Sequence, residues 1–190
     1  MIGYTCKYTP VELIRAMGAE PVLLNEEVEE FSHAELHTHT NICTHAKSVL
    51  EQSKSSEEII LTNCCDSMRR VFDVLEKNET KRFLFLMDLP YHANEAARKR
   101  LSKELLRLIR ELSSFYQSPF NRDLFLKACL DARQINADYP YVAVIGVRIS
   151  VPRLESICKE SDFPVVDLTC ASNRSLPPVP SYVSTMTTEE

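Results

Sequence analysis

The residues of this 190-residue chain whose types permit chemistry are seven cysteines and a short run of histidines. His33, His37 and His39 fall within seven residues, and Cys43 and His45 follow at once. Imidazole and thiolate together suit zinc. A tetrahedral site would need His37, His39 and Cys43 to converge, with His33 or His45 as the fourth ligand. His37 and His39 can face one metal only on an extended loop, so the competing reading is a set of exposed loop histidines. The cysteines offer a second chemistry. Cys6 ends a short extended run, Cys43 opens a helix, Cys64 and Cys65 join the run EIILTN to the next helix, and Cys170 follows PVVDLT. Thiolates at helix starts and just beyond strands are favoured by backbone N–H groups and gather at the edge where open α/β sheets bind ligands. Thiols taken from separate loops, without CxxC pairs, suit either an iron–sulfur cluster or plain buried packing. Cys129 and Cys158 sit inside amphipathic patterns and are expected in the core.

These positions require elements to hold them. Ile2–Cys6 reads as a short strand, and Thr9-Pro10-Val11-Glu12 as a capped helix start with proline at its first position. The helix runs through Met17 to Gly18, and Pro21–Leu24 is a strand. Residues 25–40 show no period and read as loop with at most a helical turn. Helices are expected over Cys43–Gln52, Met68–Lys77, Asn94–Tyr116, Arg122–Ile135 and Pro152–Lys159. Strands are expected over Glu58–Leu61, Arg82–Met87, Tyr141–Ile149 and Pro164–Leu168. Asn94–Tyr116 carries Leu101, Leu105, Leu108, Ile109 and Leu112 on one stripe. Apolar strands alternating with helices predict an α/β fold, a Rossmann-like parallel sheet flanked by helices with a partial second β-α-β unit. The expected organisation is a cysteine-bearing domain over 1–118, a helical linker over 119–138, the partial second domain over 139–175 and a mobile Pro/Ser/Thr-rich tail over 176–190.

Composition removes several function classes. A net charge of −5 argues against nucleic acid as the main partner. The start MIGYTCKYTP is not a signal peptide, and no apolar run is long enough to span a bilayer, so a cytoplasmic protein is expected. Three glycines leave no phosphate-cradling loop of the usual nucleotide-binding types. An odd number of cysteines in a chain of this size argues against a secreted disulfide framework.

The segments GYTCKYTPVELIRAMGAEPVLL, NICTHAKSVLE, IILTNCCDSMRRVFDVL, FLFLMDLP, VIGVRIS and DLTCASNRSL, in that order, resemble the 2-hydroxyacyl-CoA dehydratase family. That family includes the 2-hydroxyglutaryl-CoA dehydratase D-component and is similar to the benzoyl-CoA reductase subunits. The resemblance covers about Gly3–Leu176. It implies an oxygen-sensitive protein holding a [4Fe-4S] or double-cubane cluster through three cysteines, with Cys6, Cys43, Cys65 and Cys170 as the candidates and Cys64 competing with Cys65. It also implies an acyl-CoA substrate, a second dehydratase subunit and an ATP-hydrolysing activator that delivers one electron. The implied reaction is a lyase reaction in which the thioester carbonyl is reduced to a ketyl radical anion before water leaves. Two departures stand out. The stretch Pro119–Tyr139 is shorter than the family's helical middle, and one cluster ligand of the family could belong to a longer second domain than this sequence carries. Two other readings therefore stand beside the dehydratase: a double-cubane or benzoyl-CoA-reductase-like electron-transfer module, and a non-catalytic remnant that pairs with a fuller subunit. Arg69 and Arg70 could contact CoA phosphates or merely be solvated, and Asp66 could cap its helix.

Overall fold

The computed structural model describes residues 1–78, 81–131, 140–146, 148–170 and 172; the expected tail over 176–190 lies outside them. Thirteen elements alternate strictly enough to make the α/β expectation correct. They are β1 (Ile2–Tyr4), α1 (Val11–Ala16), β2 (Pro21–Leu23), α2 (Ser32–His37), α3 (Thr44–Ser53), β3 (Glu58–Thr62) and α4 (Asp66–Asn78). There follow β4 (Phe83–Met87), α5 (Glu95–Tyr116), α6 (Arg122–Asp131), β5 (Val142–Gly146), α7 (Val151–Glu160) and β6 (Val165–Thr169).

Four strands form one parallel sheet in the order β2-β1-β3-β4, and β5-β6 form a second, two-stranded parallel sheet. In the first sheet Gly3 lies opposite Ile59, and Glu58 to Thr62 run opposite Phe83 to Met87. The strand EIILT is buried at all five positions, because helices cover both faces as parallel sheets demand. On one face Ile60, Phe83, Phe85 and Met87 pack against Leu13 and Ile14 of α1 and Leu108 and Leu112 of α5, with Phe125 of α6 alongside. On the other, Ile59 and Leu61 meet Ala34 of α2, Val49 and Leu50 of α3, and Val71 and Leu75 of α4. The period-2 alternation of strand side chains thus feeds two cores from one strand. Gly3 packs closely against Leu24: a Cβ there would come within 3.1 Å of that side chain, which would have to shift.

Three local expectations are corrected. Thr9 does not cap α1: the N-cap is Pro10, with no side-chain cap bond. The Thr9 N–H is drawn instead to the Cys6 carbonyl at 2.9 Å, which starts the helix one residue later. Residues 25–40 are not all loop, because SHAELH forms α2, anchored where the Ala34 N–H donates to Glu51 Oε1 at 2.8 Å. Cys158 is exposed, and no residue of α7 is buried, so this helix has no core to place it in. Cys129 is only partly buried. The longest helix behaves as its pattern predicts: Asn94 Oδ1 accepts from the Ala97 N–H at 2.8 Å and Gln117 closes it in the left-handed conformation.

Candidate cysteine site

The strands of the first sheet all end on one edge, where β1 and β3 lead into cysteines, and β6 of the second sheet leads into another. Cys6 lies just past β1, Cys64 and Cys65 just past β3, and Cys170 just past β6. The second sheet is brought to that edge by polar bonds. The Lys7 ammonium donates to the Leu168 carbonyl at 2.6 Å, and the Lys7 N–H to the Cys170 carbonyl at 2.9 Å. Arg148 donates to the Asn25 carbonyl at 2.9 Å and to the Asn25 side chain. The Cys64–Cys65 turn is set by Asn63. Its N–H donates to the Met87 carbonyl at 3.0 Å, and its Oδ1 accepts from the Leu89 N–H at 2.7 Å. Its side-chain NH2 donates to Asp88.

The result is a chain of interacting sulfurs. Cys64 donates its S–H to Cys6; that bond, with help from the Tyr8 N–H and the Thr62 hydroxyl and against burial, lowers the Cys6 thiol to about 7. The same bond, together with burial, pushes the Cys64 thiol far up, so the pair holds one proton firmly. Burial raises the Cys65 thiol against the Met68 and Ser67 N–H groups of the α4 start, and Cys64 and Cys43 are close enough to add to it. Burial also raises Cys170, against the Arg148 N–H, with Cys64 and Cys65 contributing. All four candidate thiols, Cys6, Cys43, Cys65 and Cys170, therefore share one neighbourhood with Cys64 between them. Cys6 forms its buried end, and Cys43, Cys64 and Cys65 form the side open to solvent.

Around this group three threonine hydroxyls, those of Thr5, Thr9 and Thr169, are buried without a hydrogen-bond partner, while the Thr62 hydroxyl has only the cysteine sulfurs to turn to. Unmatched buried hydroxyls are costly, and here each lies within a few residues of one of the cysteines. Among the described residues no three His, Cys, Asp or Glu side chains close round one point tightly enough to hold a metal ion. The donor set fits a different guest. Soft sulfurs from four separate segments, rimmed by hydroxyls awaiting an acceptor, suit an iron–sulfur cluster, whose several irons take thiolates spaced more widely than the ligands of one ion.

The histidines do not converge with Cys43 on one point among the described residues. The His33 and His37 rings meet edge to face on α2, 4.9 Å apart, and His39 Nδ1 accepts from the Asn41 N–H at 3.2 Å. His45 is held neutral, its pKa lowered to about 4 by burial and by the Arg148 charge. The zinc geometry thus has no counterpart among the described residues. Asp66 opens α4 and is 3.9 Å from Arg69, while Arg70 pairs with Asp73 at 2.7 Å, so both arginines have local carboxylates. Sequence reasoning missed Lys7, Asn63 and Arg148, which position the thiols. Lys7 and Asn63 adjoin cysteines, but no periodicity marks a loop residue by the bond it makes.

A family model for 2-hydroxyglutaryl-CoA dehydratase, D-component, matches residues 6–173. No curated protein matches the chain.

Proposed function

The chain belongs to the 2-hydroxyglutaryl-CoA dehydratase, D-component, family, and on that premise we propose that it holds an iron–sulfur cluster through Cys6, Cys43, Cys65 and Cys170 as one component of a 2-hydroxyacyl-CoA dehydratase. The observation that supports this reading is the gathering of five thiols at one sheet edge beside three unmatched threonine hydroxyls. A [4Fe-4S] or double-cubane cluster held there would supply low-potential one-electron reducing chemistry for the dehydration of a 2-hydroxyacyl-CoA thioester. The chain's own residues do the holding. Cys6 offers a thiolate near neutral pH because Cys64 and the Tyr8 N–H stabilise it, whereas at Cys65 the amides at the start of α4 only partly offset the burial that raises its thiol. Lys7 and Asn63 fix the segments that carry Cys6, Cys170 and the Cys64–Cys65 turn. A second dehydratase subunit and an ATP-dependent activator as electron donor belong to the same reading.

The test is the iron and sulfide content of anaerobically purified protein. Cys43→Ser abolishes the iron–sulfur absorbance, because a hydroxyl is a harder and less acidic donor than a thiol. The double variant His37→Ala/His39→Ala keeps its iron, and circular dichroism confirms that both variants fold. Loss of bound zinc from the histidine variant, with normal iron in Cys43→Ser, overturns the proposal.

A further inference from the structure

Beside the cysteine edge lies a groove of about 480 Å3 between α1, α5 and α6. We infer that this groove receives the hydrocarbon chain of the acyl-CoA and rejects acyl chains that end in a carboxylate. The inference rests on the acyl-CoA reading above and adds to it which acyl group the site takes.

Three observations carry it. The first is continuity. Tyr8 and Pro10, on the loop that leaves Cys6, line the groove, as do Met87 and Leu89, the two residues to which Asn63 ties the Cys64 turn. The groove therefore borders the loop that carries Cys6 and the residues that hold the Cys64 turn. The second is lining. Leu101, Leu105 and Ile109 of α5 face Phe120 and Phe125, so the walls are those of a hydrocarbon pocket, and the volume lies in the range of small-ligand sites. The third is charge. Among the described residues no lysine, arginine or histidine lines the groove, and the one charged residue there is Glu12, which is 4% exposed. A terminal carboxylate entering it would lose its water and meet no cation among the described lining residues. A glutaryl chain is excluded on those grounds, while a straight or branched alkyl chain is not.

The test is isothermal titration of the anaerobically purified full chain with free CoA, butanoyl-, hexanoyl- and octanoyl-CoA, and with pentanoyl- against glutaryl-CoA. Affinity is expected to rise about three- to fourfold for each methylene, the factor produced by burying one CH2 group. Glutaryl-CoA is expected to bind no more tightly than free CoA. Leu105→Trp, which fills the groove, should flatten the chain-length series. Ser102→Lys, on the exposed turn of α5 at the groove, keeps the test open should the tryptophan variant fail to fold. It places a cation there and should tighten glutaryl-CoA by about two- to fivefold, as a partly solvated ion pair does. Iron content read on the same samples separates the two proposals. A flat series, or glutaryl-CoA binding more tightly than pentanoyl-CoA, in protein with full iron overturns the groove assignment alone. A rising series in iron-free protein supports the groove and overturns the cluster.

Discussion

The strands EIILT and VAVIG are nearly interchangeable as text, yet β3 is buried at every position and β5 is exposed at four of five. The difference lies in what covers them. β3 has β1 and β4 as neighbours and a helix layer on each face. Among the described residues β5 pairs with β6 alone, and α7 contributes no buried residue. A continuous apolar run marks a strand that needs covering from both sides; it does not say that the cover is present. Among the described residues Ile145 is left 76% exposed and Phe163 54% exposed. The cysteine site straddles this divide, with Cys6, Cys43 and Cys65 on the well-packed unit and Cys170 on the thin one.

The contrast is open to direct attack, and the largest effect falls in the covered strand. Ile60→Ala, at a position with no exposure, should cost about 3–4 kcal/mol in urea unfolding, the transfer loss plus an uncollapsed cavity. Ile145→Ala should change the same measurement by less than about 0.5 kcal/mol. Equal costs at the two sites would show that the second sheet is covered in solution and that the difference drawn here is wrong.

A middle-sized effect concerns the polar end of β3. Glu58 is 6% exposed and accepts the Tyr116 hydroxyl at 2.6 Å, with Arg82 at 3.5 Å. Burial, then that carboxylate, pushes the Tyr116 hydroxyl above its usual ionisation range. Tyr116→Phe should cost about 1–2 kcal/mol at pH 7, because the acceptor stays buried without its donor. The sign of the pH effect follows from a raised folded-state pKa. The contribution is whole below about pH 10, where the unfolded tyrosine ionises, and declines as pH rises beyond that. The gap between the two proteins should therefore narrow in alkaline urea titrations, and a gap that widens above pH 10 contradicts this account.

The smallest global effect is expected at the junction. Lys7→Met removes the bond to Leu168, and Arg148→Leu the bonds to Asn25. Each should lower global stability by under about 1 kcal/mol, yet amide exchange over residues 142–169 should quicken while that of β3 and β4 does not. Uniform acceleration would mean that the two sheets unfold as one body.

Much of the first unit was legible because its signals are local. Continuous apolar runs located β3 and β4, a period-3.6 stripe located α5, and Asn94 announced the start of the last of these. The short elements were less so. α2 carries Ala34 as its sole buried residue, too little to show a period, and Thr9 resembles a cap until its N–H is seen to turn back to Cys6. Cys158 has the spacing of a core residue on a helix that packs on no core.

For the site the division is similar. The sequence alone determined that Cys6, Cys64, Cys65 and Cys170 follow strands and that Cys43 opens a helix, since strand and helix boundaries depend on neighbouring residues. Their assembly into one group depended on the parallel order β2-β1-β3-β4 and on Lys7 and Arg148 drawing the second sheet to the first. So did the sharing of a proton between Cys6 and Cys64, and the opening of an apolar groove beside them. Those bonds join residues more than 120 positions apart, and electrostatic coupling depends on distance in space, which no local pattern records.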